Sequence, residues 1–313
     1  MIGKGVSHIM INFINIGISI YNLDNWREKR RMWVFVLRAY LHYPAMRKLY
    51  EYFMDNAVRR QYLDNNKYPL EQVTRAFFYN KSTMQERIEL VKEHIAYITE
   101  NFKEECALKL ARHEFFLLWE DLSGEEPLRL YLTFESGQRK EGLLSLMFRW
   151  GNNYANLYQM IFWIARGKTG DWSLWIGAMQ GPNMENAKEV VKKVTKQCHA
   201  YRTKNLILYV TRIFARTLGL KHIYAVSNYG YYANNHVRSD RKLKTNFGDF
   251  WEESGGHVTE DARFYEISLH EERKSMDEIP TRKRAVYRKR FALLDEIEEV
   301  MAKRLKDLMK QGS

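Results

Sequence analysis

The sequence predicts an α+β protein in which a helical front part packs on a mixed sheet flanked by helices. Three observations point there. Apolar residues recur at helical spacing from Trp26 to Phe116, short alternating runs replace them between Leu128 and Met179, and helical periods return after Pro182 before one more apolar strand, His222 to Ser227. The change of pattern places a helical region at 1–120 and a mixed region at 121–313, which ends in a basic helix.

The first stretch, Met1 to Leu23, is apolar but carries Lys4 and is broken by Asn12, Asn15 and Gly17. It lacks both a small-residue cleavage pattern and the roughly eighteen clean apolar residues of a membrane span. A soluble or interfacial start suits it better than a targeting or anchoring role, and the alternation of Ile14, Ile16, Ile18 and Ile20 suits a strand or a surface-lying segment. Helical faces follow in Trp33, Leu37, Tyr40 and Leu41 and in Leu49, Tyr52 and Phe53, with Pro44 between them. Ile88, Val91, Ile95 and Ile98 form a third, after Ser82 and Glu86. Such stripes are expected to face a core, with their aromatics as packing.

Strands are expected at Leu128 to Phe134, Gly142 to Trp150, Leu157 to Ala165 and Trp172 to Met179. Their short polar connections, Glu135 to Lys140 among them, argue for an antiparallel meander. After the Gln180-Gly181-Pro182 turn, helices are expected over Glu185 to Cys198 and Leu206 to Leu218, the second stopped by Gly219. Asn228 to Asn246 reads as a long loop rich in tyrosine and cations, including Arg238, Arg241, Lys242 and Lys244. A strand at Arg263 to Ser268 and a helix from Pro280 to about Met309 complete the chain.

The 313 residues are 45% hydrophobic, enough for an ordinary core, and carry a formal charge of +12. The surface should therefore attract anions: phosphates of nucleotides, lipid headgroups or nucleic acid. Cys106 and Cys198 are too few for a disulfide framework, and no cysteine pair or histidine cluster suggests a metal site. A reducing, cytoplasmic location follows, with peripheral contact to the inner membrane open to so basic a chain.

Ile176-Gly177 with Gln180-Gly181-Pro182, Thr195-Lys196 with His199 and Arg202, Phe250-Trp251-Glu252 with Gly255-Gly256, and Ile279-Pro280 with Lys283-Arg284-Ala285 together resemble the VirK/YbjX family of Gram-negative bacteria, from about Tyr43 to Arg290. The resemblance implies a cell-envelope role connected with virulence, localisation of an outer-membrane protein and resistance to antimicrobial peptides, and an envelope protein as a partner. Ala200 and Thr203 stand where the family pattern has Gly and Pro, and Asn246-Phe247-Gly248 replaces a Tyr-containing lead.

The order of four strands, a helix, Gly-Leu-Lys and a strand is also similar to the GNAT acyltransferases. That likeness implies an acyl-CoA whose pyrophosphate rests on a helix N-terminus. This chain lacks the glycine-rich phosphate turn and inserts Glu185 to Cys198 at that point.

On these grounds Gln180, Gly181, Arg202, Lys204 and Asn205 are candidates for binding a phosphate-bearing ligand, acyl-CoA among them. His199 and Glu252 are candidates for general acid or base work. Phe250 and Trp251 are candidates for a lid or pocket wall, and Trp251 suits a core plug equally well. Cys198 is a weaker nucleophile candidate, with Lys196 and Arg202 near enough in sequence to lower its pKa. The run Arg282-Lys283-Arg284 to Arg288-Lys289-Arg290 suits an anionic membrane surface or a solvated helix answered by Asp295, Glu296, Glu298 and Glu299. No nucleic-acid-binding signature is present, so no specific nucleic acid is expected. Two functions remain open: an acyltransferase-like enzyme, and a noncatalytic basic accessory protein of membrane or envelope proteins.

Overall fold

A computed structural model describes residues 10–152, 155–235 and 246–311. Seven helices come first: α1 (Phe13–Ile20), α2 (Trp26–Leu41), α3 (Tyr43–Met54), α4 (Ala57–Asn65), α5 (Tyr68–Val73), α6 (Met84–Asn101) and α7 (Glu104–Ala111). Five antiparallel strands follow: β1 (Phe116–Asp121), β2 (Leu128–Thr133), β3 (Leu144–Trp150), β4 (Ala155–Arg166) and β5 (Trp172–Gln180). Then come α8 (Ala187–Gln197), α9 (Thr203–Thr217), β6 (His222–Val226), α10 (Phe247–Glu253), β7 (His257–Val258), β8 (Phe264–Ile267) and α11 (Thr281–Leu308).

The strands form one sheet in the order β1-β2-β3-β4-β5-β6-β8-β7, in which β5 and β6 run parallel. An α+β architecture is what the patterns predict. The meander has five strands because β1 belongs to it, although its sequence follows helical segments without a break. The crossover from β5 to β6 carries α8 and α9, and Gly219 ends α9 at a φ of +71°, with Leu220 N–H donating to the Ala215 carbonyl. The parallel pairing stops at Ile176 and Ala225, and β5 continues to Gln180 paired with β4 but without β6 beside it. At Gly177 a Cβ would stand 1.8 Å from the Glu141 carbonyl oxygen, so only glycine lets the loop before β3 cross this strand.

The helical layer joins the sheet through α6. Thr83 and Glu86 cap its start reciprocally, and Ile88, Val91, Ile95 and Ile98 are buried as their spacing predicts. Buried Glu71 of α5 is a second tie: it accepts from Tyr21 Oη at 2.7 Å and from Arg139 Nε at 2.8 Å.

Two expectations are corrected. Ile14 to Ile20 lies in helix α1, whose N-terminus is capped by the Asn12 side chain, so the alternating isoleucines do not form a strand. In α2 the buried face is Met32, Phe35, Val36 and Ala39, whereas Trp33, Leu37 and Leu41 are exposed. The stripe read as core faces outward because α2 is apolar on two sides and α1 packs on the other, where Gly17 meets Met32 and Val36. The cationic residues of the loop read at Asn228 to Asn246, Arg238, Arg241, Lys242 and Lys244, lie outside the described residues.

His94 gives the α6 seam a pH signature. It is fully buried, its Nδ1 accepts from Ile164 N–H at 3.1 Å, and burial lowers its pKa to about 3. The unfolded chain, with an ordinary histidine pKa near 6.5, binds the proton first, so this contribution to stability is complete above pH 6.5 and is lost as the pH falls towards 3. From this group alone, moving from pH 7 to pH 5 should cost about 2 kcal/mol. His94→Asn, which keeps an acceptor near the Nδ1 position, should flatten that slope in urea titrations across this range, at some loss of stability at neutral pH.

Candidate functional site in the groove between the eighth and last helices

An open cavity of about 500 Å³ lies between α8 and the first turns of α11. Val190 and Val194 bury one side of α8, which turns Lys192 and Lys196, four residues apart, to the other. These two lysines, Thr195 and His199 line one wall; Ala285, Val286 and Lys289 of α11 line the opposite one. Lys192, Lys196 and Lys289 are exposed and form no ion pair among the described residues. Like charges gathered round an apolar floor favour an anion that carries an apolar arm.

The groove's end is fixed by backbone geometry. After α8 the chain turns through two successive left-handed residues, His199 (φ +51°) and Ala200 (φ +60°). Their carbonyls accept from Arg290 Nε and Nη2, each at 3.1 Å, which ties α11 to the end of α8. Three carboxylates later in α11 are engaged elsewhere. Asp295 pairs with Arg273 at 2.6 Å, Glu296 accepts from the Trp119 indole, and Glu298 pairs with Arg216. Three of the four carboxylates expected to answer the basic run are thus committed to other partners.

The other candidate residues fall in separate places. Gln180 donates from Nε2 to Glu141 Oε2 at 2.6 Å. It opposes Gln159 across β4 and β5, so its side chain shares that sheet face. Gly181 instead lies beside Tyr158, which belongs to the opposite face and bonds Thr203 at the start of α9. Arg202 is the exposed residue before α9, and Asn205 N–H is already used by the Arg202 carbonyl at 2.9 Å. Lys204 turns to α10, 3.4 Å from Glu253 and 4.8 Å from the Phe250 ring centre. Glu252 is exposed and accepts from Tyr265 Oη at 2.9 Å. Trp251 is fully buried with its indole donating to the Val226 carbonyl at 2.9 Å, and Phe250 is buried beside it. They fill the core under α10. Burial, with the Asp121 charge, pushes the Cys198 thiol up to about 12, the reverse of what its basic neighbours in sequence suggest. Among the described residues no three His, Cys, Asp or Glu side chains gather as a metal site.

Sequence reading missed a buried polar chain on one sheet face. Glu141 Oε1 accepts from Tyr231 Oη at 2.6 Å, Gln138 bonds Gln159, and Gln159 Nε2 donates to Ser145 Oγ at 2.8 Å. Burial holds the Glu141 carboxyl above the usual carboxylate range, although the Tyr231 and Gln180 donors pull the other way. No local signal marked Glu141, because its partners lie 39 and 90 residues away in the chain. The Lys192 and Lys196 pair of α8 was missed as well, although its i, i+4 spacing is a local signal.

In this left-handed turn Ala200 adopts a backbone conformation that favours glycine. Ala200→Gly should remove a steric cost of about 1 kcal/mol and raise the midpoint of denaturant unfolding.

Comparison with known proteins agrees with the resemblance read from the motifs. A family model described as "Protein of unknown function (DUF535)" matches residues 24–303. The chain is 29% identical over 235 residues to "Uncharacterized protein YbjX" of Escherichia coli, covering 68% of this chain and 70% of that protein. It is 24% identical over 277 residues to an uncharacterized protein of Haemophilus influenzae, covering 87% and 88%. It is 25% identical over 197 residues to "Membrane protein LapB" of Mannheimia haemolytica, covering 61% of this chain and 80% of that one. Because the match takes in the α6 seam, the sheet, both walls of the groove and the Arg290 tie, the chain belongs to the DUF535 family of YbjX-like proteins.

Proposed function

We propose that this protein binds a phosphate-bearing ligand with an apolar arm in the groove between α8 and α11, in the service of the Gram-negative cell envelope. The observation that carries the reading is the convergence of Lys192, Lys196 and Lys289, all without ion-pair partners among the described residues, on a cavity lined by Ala285 and Val286. Two ligands share this chemistry, an acyl-CoA and an anionic phospholipid. His199 lines the same cavity and is the side chain placed to exchange a proton with a bound ligand. The envelope setting draws on the relative named "Membrane protein LapB". The acyl-transfer reading draws on the parallel β5 and β6 pair, with α9 starting beside the end of β5.

A second reading has its own support. Arg282, Lys283 and Arg288 are exposed on the same helix as Lys289 and extend the cationic surface beyond the cavity. This suits a noncatalytic accessory protein that meets an acidic partner along α11.

Thermal unfolding with palmitoyl-CoA, coenzyme A, short-chain phosphatidylglycerol, ATP and inorganic phosphate separates these readings. At a hundredfold excess over its dissociation constant, a true ligand should raise Tm by about 5 °C, persist in high salt and lose its effect in Lys196→Glu/Lys289→Glu. A response to palmitoyl-CoA but not to phosphatidylglycerol selects the thioester source, and the converse selects the lipid. Equal responses to every polyanion that vanish with salt would overturn the groove reading and leave the accessory role.

A further inference from the structure

The second helix carries a feature the groove does not use. Besides its buried face, α2 exposes Trp26 (74%), Trp33 (51%), Leu37 (60%) and Leu41 (69%). At 3.6 residues per turn these side chains lie within roughly 80° of arc. A helix packed on a soluble core normally turns polar residues to water there, and large exposed apolar stripes mark interaction surfaces. Neighbouring α1 adds exposed Ile14 and Ile18.

The cations of α2 indicate what covers it: Arg27 and Lys29 border the stripe on either side, and Arg30 falls within its arc near the N-terminal end. Arg27, Lys29 and Arg30 are exposed and make no ion pair among the described residues. The acidic residue of α2, Glu28, is paired with Arg31. Tryptophan and leucine bordered by unpaired cations match a surface that is negative at its rim and apolar beneath: phosphate headgroups over acyl chains. Among the described residues no helix is long and apolar enough to cross a membrane, so the contact is one that lies on the bilayer.

We propose that α2, with α1 beside it, is a docking surface for an anionic phospholipid bilayer, Trp26, Trp33, Leu37 and Leu41 entering the interface while Arg27, Lys29 and Arg30 hold the headgroups. This surface does not depend on the groove reading.

The test is flotation of the full chain with phosphatidylglycerol/phosphatidylethanolamine vesicles and with phosphatidylcholine vesicles. The protein should float with the anionic vesicles. Trp26→Ser/Trp33→Ser/Leu37→Ser should lower the bound fraction about tenfold or more, with circular dichroism unchanged, and Arg27→Glu/Lys29→Glu/Arg30→Glu should lower it too. A variant that keeps the shape guards against misfolding. Acyl-chain-brominated phosphatidylglycerol should quench the wild-type tryptophan fluorescence, and Trp26→Phe/Trp33→Phe should remove that quenching while flotation persists. Failure of the wild type to float, equal flotation of the serine variant, or quenching that survives in the phenylalanine variant each overturns the proposal. So does a wild type that does not float but forms a dimer the serine variant dissolves, which would make the stripe a contact between two copies.

Discussion

The structure depends on one strand outrunning its neighbour. β4 extends past the end of β3, whose pairing stops at Leu144 opposite Phe162. From there the β3-side edge of β4 has backbone donors without a strand to receive them, and buried donors left unpaired are costly. Helix α6 supplies the acceptors: His94 Nδ1 takes Ile164 N–H, and Glu93 Oε2 takes Arg166 N–H at 2.8 Å. Side-chain acceptors on a helix thus finish a sheet edge, and in doing so dock the helical layer. The apolar face of α6 packs on β4, and one continuous core takes in residues of both regions.

That docking positions the loop before β3. Arg139 reaches back to Glu71 of α5, Gln72 Nε2 donates to the Arg139 and Gly142 carbonyls, and the loop crosses β5 at Gly177. Glu141 is thereby pressed into the sheet face among amides and a tyrosine hydroxyl. The arrangement is satisfied apart from Gln72 Oε1 and Thr133 Oγ1, which have no hydrogen-bond partner among the described residues. Its closed packing suits a framework, whereas the open groove at α8 suits a ligand.

Charge pairing decides where the net positive charge becomes available. Three acidic side chains of α11, Asp295, Glu296 and Glu298, pair with Arg273, Trp119 and Arg216, which ties the last helix to α9 and β1. The cations of its first turns are left facing the solvent and the cavity. A similar division exists in α2, where Glu28 engages Arg31 and three other cations remain unpaired among the described residues beside an apolar stripe. The chain thus offers anions two separate cationic surfaces, one around a cavity and one around exposed tryptophans.

The sequence by itself determined the α+β class, four of the meander strands, the α8-α9-β6 crossover and the family. Each of these rests on local periodicity or on motifs whose residues carry their own turn chemistry, as Gly219 does. It also showed His199 as a candidate, within a motif that contains Lys196. Only the tertiary structure decided which apolar face of α2 is buried, because both faces have helical spacing and the choice rests with α1 at Gly17. Only the fold could separate Gln180 from Gly181 across the sheet, through the alternation of adjacent strand residues, and turn Lys204 towards α10. Burial of Cys198, Trp251 and Glu141 likewise depends on neighbours tens of residues away, and the physical reason is common to all three. Desolvation is a property of the surroundings, and a sequence states what a side chain is without stating what surrounds it.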